Sequence, residues 1–203
     1  MPASKTNATT PGILQIKVTL LGTKPPIWRR VLVPPDLTLG QLHTVLQIAM
    51  GWQGGHLHDF RIGKASYGSL EFAEGADDTI DEQTARLSDV LGRPRAKALY
   101  TYDFGDGWEH SVVVEKILAL EPDVSYPACT GGALQCPPED CGGIPGFYDL
   151  LDAVSDPKHE RHEEIMDWLG GGFDPDAFSV DDVNKSLAPF RPRRKKKNAT
   201  HGV

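Results

Sequence analysis

The stretch from Leu39 to Met50 constrains the fold more than any other. Leu39, Leu42, Leu46 and Met50, joined by Val45 and Ala49, form one apolar stripe at helical spacing. Thr38 and Gln41 stand three apart ahead of it, the spacing of a capping box, in which the hydroxyl and the amide each receive a backbone N–H. Gly51 supplies the left-handed stop. A helix with one apolar face must bury that face, and the flanking residues offer a sheet to receive it. From Ile13 to Leu21, Ile16, Val18 and Leu20 alternate with Gln15, Lys17 and Thr19, the period of a half-buried strand. Ile27 to Val33 reads as a second strand, closed by Pro34 and Pro35, and Thr23 to Pro26 as the turn of an antiparallel hairpin. Leu57, Phe60 and Ile62 suggest a third strand. The order strand, strand, helix, strand predicts a β-grasp-like start, with a hairpin curling over one helix.

Further along, Leu99 to Phe104 and Ser111 to Leu118 flank Gly105-Asp106-Gly107, a strong hairpin signal. Residues 63 to 98 are polar, with a short helix expected within Thr84 to Leu91. Pro122 to Pro145 reads as a Cys/Gly/Pro-rich loop. Phe147 to Val154 reads as a helix. Asp156-Pro157 is expected to open another, running to about Leu169 and stopped by Gly170 to Gly172. Ser179 with Asp182 caps a last one through Leu187. The expectation is an α+β fold: a single domain with an antiparallel or mixed sheet, packed helices and a C-terminal helical part. Residues 1–12 are expected to be a flexible lead-in, 13–190 the domain, and 191–203 a disordered basic tail.

Composition narrows the function classes. No apolar run approaches the roughly 20 residues that cross a bilayer, and Met1 to Thr10 lacks the apolar core of a secretory signal, so a soluble cytoplasmic protein is expected. Net charge is −7, while Arg191, Arg193, Arg194, Lys195, Lys196 and Lys197 carry no acid among them. The body is therefore more acidic than the whole and repels nucleic acid. Weak, nonspecific nucleic-acid contact is left to the tail. There is no Gly-rich phosphate loop before a helix, no nucleophile elbow and no His-Glu-x-x-His helix.

Three constellations carry chemistry. Tyr100 to His110 gathers Asp103, Asp106, Glu109 and His110 around one turn. Such a set can hold a metal or share protons as acid and base, or it is a solvated hairpin tip with Trp108 as core anchor. Cys129, Cys136 and Cys141 are thiolate donors that suit zinc, with His110 first and His58 second as the fourth ligand. Alternatively they are three small buried thiols, reduced in a cytosol. His56 and His58, two apart, would share one face of a strand and could converge on one ligand, or be held by backbone. Glu139 and Asp140 are loop acids or caps for the helix near Phe147. His159 and His162 read as solvated.

The ordered motifs I-x-R-R-V-L-V-P (Ile27 to Pro34), T-L-x-x-L-H-x-V-L-Q-I-A-M-G-W (Thr38 to Trp52), H-L-H-x-F (His56 to Phe60), Y-x-Y-D-F-G-D-G-W-E-H (Tyr100 to His110) and C-P-P-E-D-C-G-G (Cys136 to Gly143) resemble the plasmid pRiA4b ORF-3-like domain family. The resemblance spans roughly Ile13 to Leu187. It implies a single α+β domain of bacteria and archaea, plasmid- or transposon-linked. It would put a site at the matched positions His58, Asp103, Asp106, His110, Glu139 and Asp140. Fold membership alone does not supply function. Three readings follow: a module binding an unknown protein or small-molecule ligand, with a structural metal; a metal-dependent hydrolytic enzyme using the His/Asp/Glu set; or a mobile-element-associated DNA-binding accessory using the tail.

Overall fold

The structure is a computed structural model that describes residues 12–72 and 78–191. The expected lead-in and nearly all of the basic tail lie outside these residues. An eight-stranded mixed sheet has the order β5-β4-β3-β6-β7-β1-β2-β8. Its strands are β1 (Ile13–Leu20), β2 (Trp28–Val33), β3 (His58–Ile62), β4 (Ala65–Gly68), β5 (Thr79–Asp81), β6 (Lys97–Tyr102), β7 (Trp108–Leu118) and β8 (Ala128–Ala133). The helices are α1 (Leu39–Met50), α2 (Leu87–Val90), α3 (Gly143–Ser155), α4 (His162–Trp168) and α5 (Val180–Leu187). All neighbours pair antiparallel except β4 and β5. The fold is thus α+β in one domain, as the alternation patterns require. The two hairpins read from the sequence, β1-β2 and β6-β7, are present in register. β6 and β7 stand between β1 and β3.

Leu14, Ile16, Val18 and Leu20 of β1 face inward and join Val31, Val33 and the α1 residues Leu39, Leu42 and Leu46 in one apolar cluster. Burying each such side chain stabilises the fold by about 1.5–3 kcal/mol. The opposite face of β1, β2 and β7 is polar: Arg30 forks onto Glu115 at 2.6 and 3.0 Å, and Gln15 donates to the same carboxylate. The α1 capping box forms as the sequence demands, Thr38 receiving Gln41 N and Gln41 receiving Thr38 N, and Gly51 closes the helix at φ 89°.

Four expectations need correction. The segment read as loop between Pro122 and Pro145 contains β8, whose sequence ACTGGA has no alternation to betray it. It forms by pairing with β2 on one side, while Asn184 of α5 covers the other: its Nδ2 donates to Cys129 O at 2.8 Å and its Oδ1 accepts from Cys129 N at 3.0 Å. Arg191 also donates to Asn184 and to Pro127 O, so this first basic residue belongs to the body and not to a tail. Asp156 ends α3 instead of opening a helix, and 157–161 form turns before α4. His162, expected in solvent, has Nδ1 2.7 Å from Ala153 O.

Candidate functional site

Three segments far apart in sequence meet at one end of the sheet. The first is the loop after α1, the second the β6-β7 turn, the third the 135–142 loop. Each is pinned by named bonds. Trp52 Nε1 donates to Pro137 O at 2.8 Å. Glu139 accepts from Gln53 N at 3.0 Å through one oxygen and from the Tyr102 hydroxyl through the other. Asp106 accepts from Gly142 N at 3.2 Å. Gly143 lies so close to the Asp106 carbonyl that a Cβ there would stand 2.4 Å from its oxygen, which only glycine avoids. Burial and the Glu139 charge push the Tyr102 hydroxyl well up, so it stays protonated and donates.

In this junction His56, Asp103 and Asp140 each offer one ligand atom, all within 4.8 Å of one another. His56 Nδ1 is 3.7 Å from Asp103 Oδ2, and its Nε2 is 3.3 Å from Asp140 Oδ1. The side chains are 34%, 12% and 71% exposed for His56, Asp103 and Asp140, so the group opens outward from a buried base. Asp103 and Asp140 hold left-handed backbones, φ 54° and 60°, uncommon for residues with a Cβ. Asp103 is fixed further by accepting Gly105 N at 2.9 Å. His56 and Asp140, with Glu139, also line a cleft of about 940 Å³ that runs past Trp52 to Phe173 and Phe178.

The set expected from sequence is only partly assembled. His56 and His58 do not converge, because β3 begins at His58 and leaves His56 in the preceding loop. His58 turns to Glu82, 2.8 Å from its Nε2. His110 is fully buried, with Nδ1 3.3 Å from Tyr100 O, and burial pushes it down to about 4. Asp106 and Glu139 serve as ties between loops. Among the described residues Cys129, Cys136, Cys141 and His110 do not form a metal-ligating group. Cys136 is buried between the Arg29 guanidinium, 3.1 Å away, and Met50 Sδ, 3.7 Å away; burial pushes its thiol up to about 11. Cys129 bonds Gly131 O within β8, and Cys141 is pushed up to about 12 by burial and by Asp106. These are protonated packing thiols at neutral pH.

Sequence reading named His56 only together with His58, without Asp103 and Asp140 beside it, and it did not name His43, Gln47 or Glu82. His43 and Gln47 stand four apart on α1, one turn, and both reach the Tyr100 hydroxyl, at 2.7 and 2.8 Å. Two polar residues at that spacing beside an apolar stripe were the available signal. Glu82, 3% exposed, sits in a polar stretch with no period to mark it.

Comparison with known proteins agrees with the architecture. The chain is 39% identical over 177 residues to the uncharacterized protein y4hQ of Sinorhizobium fredii, covering 86% of this chain and 90% of that protein. A crystal structure of a protein of unknown function, MM3350 from Methanosarcina mazei Go1, superposes with a TM-score of 0.77 at 38% identity, covering 86% of this chain and 99% of that one. No helix among the described residues is long and apolar enough to cross a membrane. The model of the plasmid pRiA4b ORF-3-like protein family matches residues 12–182, and the chain belongs to that family.

Proposed function

We propose that the chain is a ligand-binding module that holds a divalent transition cation on His56, Asp103 and Asp140 and presents it to the adjoining cleft. The observation that carries this reading is the approach of one imidazole and two carboxylates from three separate segments to within 4.8 Å. An imidazole with two carboxylates suits zinc, manganese or iron better than a soft cation that seeks thiolates. Bonds of about 2.0–2.2 Å would draw these atoms together from their present spacing, and three protein ligands leave coordination sites for water or an incoming ligand. The ring lies between the carboxylates with one nitrogen toward each, and one of those nitrogens would hold the cation.

A binding role is favoured over hydrolysis by the state of Glu139. Glu139, beside Asp140 in the chain, already accepts hydrogen bonds on both its oxygens. The DNA-accessory reading depends on basic residues outside the described residues, and the acidic body opposes it.

Isothermal titration of the chelator-treated, tag-free chain with zinc and with manganese tests the reading. Saturable binding near one equivalent, lost in His56→Ala and in Asp103→Asn but kept in Cys136→Ser, is expected. Absence of binding in the native chain, or its loss on changing Cys136 alone, would overturn it.

A further inference from the structure

The basic run Arg193, Arg194, Lys195, Lys196 and Lys197 has no part in the cation site, and the body that precedes it is acidic. The acid of that body is unevenly spread. From residue 162 to residue 184 the chain carries Glu163, Glu164, Asp167, Asp174, Asp176, Asp181 and Asp182, all exposed, and no lysine or arginine. Glu164 pairs with Arg161 and Asp182 with Lys185. Among the described residues Glu163, Asp167, Asp174 and Asp176 stand in no ion pair.

This acidic stretch walls the end of the 940 Å³ cleft away from His56, where Phe173, Ala177, Phe178, Asp182 and Val183 line it together with Ile48 of α1. Among the described residues the cleft is lined by one cation, Arg29, and that side chain is turned inward. Its nitrogens donate to the carbonyls of Ala49, Trp28, Ala133 and Leu134 and to Cys136 Sγ, and the Phe178 ring lies 4.2 Å from the guanidinium. Nothing cationic therefore faces the carboxylates at this end of the cleft. Lysine and arginine suit such walls, because their methylene stems can lie on Ile48, Phe178 and Val183 while the charged heads stay in water beside the acids.

We propose that this end of the cleft is a docking surface for the chain's own basic run, residues 193–197, held in cis. The point where the described chain ends supports this occupant. Arg191 is fixed just beyond α5: its Nε donates to Pro127 O at 3.0 Å and its Nη2 to Asn184 Oδ1 at 2.9 Å. The eight residues of α5 cover about 12 Å, whereas residues 192–197 can span about 20 Å, so the run reaches Asp181 and Asp182 at the far end of the helix. Tethering sets an effective concentration on the order of millimolar, at which individually weak charge contacts suffice. Docked there, the run narrows the cleft to any other ligand and acts as an autoinhibitory contact. None of these acids belongs to the cation group, so docking and cation binding fail independently.

Backbone amide NMR on the full chain tests the proposal. Raising sodium chloride from roughly 20 mM to roughly 500 mM screens exposed charges, and it should shift the Ala177, Phe178, Asp182 and Val183 amides of the native chain. The same amides should stay in place in a full-length variant carrying Arg193→Gln, Arg194→Gln, Lys195→Gln, Lys196→Gln and Lys197→Gln. A synthetic peptide of residues 192–203, added to that variant, should move them saturably and bind at least about tenfold more weakly at the higher salt. Asp174→Asn, Asp176→Asn and Asp181→Asn together in the native chain should abolish the salt-dependent shifts. If that variant does not fold, the comparison of native and glutamine-tailed chains decides, since it changes no residue of the cleft. Identical low-salt spectra of those two chains would overturn the proposal. So would peptide shifts as large at Glu71 and Asp78, beside the opposite edge of the sheet, as at Asp182. Native shifts that grow with protein concentration would place the run on a second copy and overturn docking in cis.

Discussion

His110 lies edge-on to Trp52, ring centroids 5.3 Å apart and planes 78° from parallel, with no exposed surface. A ring so placed cannot take a proton without burying an uncompensated charge. It is a core residue, and its consequence is felt in stability and not in ligation.

Stability should therefore fall in mild acid. His110 is depressed from 6.5 to about 4 and His43 from 6.5 to about 3, each chiefly by burial. Below 6.5 the unfolded chain binds protons that the folded chain refuses, so unfolding free energy rises with pH across that window and declines as acid is added. Each ring accounts for about 1.6 kcal/mol between pH 6.5 and pH 5. Urea unfolding at several pH values should show this slope, and His110→Phe should flatten it; a native chain equally stable at both ends would contradict the assignment.

Asp103 and Asp140 separate backbone cost from cation binding. Asp103→Asn keeps the left-handed turn and an oxygen for Gly105 N, so its melting temperature should stay near that of the native chain while cation binding disappears. Asp140→Gly relieves the positive φ and should raise stability by about 0.5–1 kcal/mol, again with loss of the cation. A gain of binding in either variant would contradict the assigned roles.

Tyr102→Phe removes the donor to Glu139, a bond that closes the 135–142 loop over Trp52. The expected cost is about 1–3 kcal/mol by thermal or chemical unfolding, since Glu139 is left with one partner. Cation affinity should drop with it, because Asp140 follows Glu139 in the chain. An unchanged affinity would mean that the loop needs no such tie.

Cys136 should resist alkylation in the folded chain at neutral pH, because it is buried and its thiol is raised to about 11. Labelling should appear only with denaturant. Rapid labelling under native conditions would show that the Arg29 side of the cleft opens.

Much of this was legible beforehand. Thr38, Gln41 and Gly51 bracketed α1, and period-two runs announced β1, β2, β6 and β7, because those signals are local. β8 was not legible: two glycines and a threonine have no strand pattern, and its pairing is imposed by β2 and Asn184. The hairpin tip and the acids at 139 and 140 were grouped through the family resemblance and not through any local pattern; in the fold Asp106 accepts from Gly142 N and Asp103 stands near Asp140. The thiols were assigned too much, because cysteine spacing does not tell a ligand from a packing residue; Arg29 decided the matter for Cys136 from 107 positions away. The histidine pair was divided by where one strand happens to begin.

The carboxamide of Asn184 has a reach beyond its own neighbourhood. Holding both the N–H and the C=O of Cys129, it acts as a one-residue counterfeit of a ninth strand at the margin of the sheet. Replacing it with alanine would bare a hydrogen-bonding rim flanked by glycines, and copies of the chain could then zip together along it. One side chain on a short helix thus covers the hydrogen-bonding groups of Cys129 at the rim of the sheet.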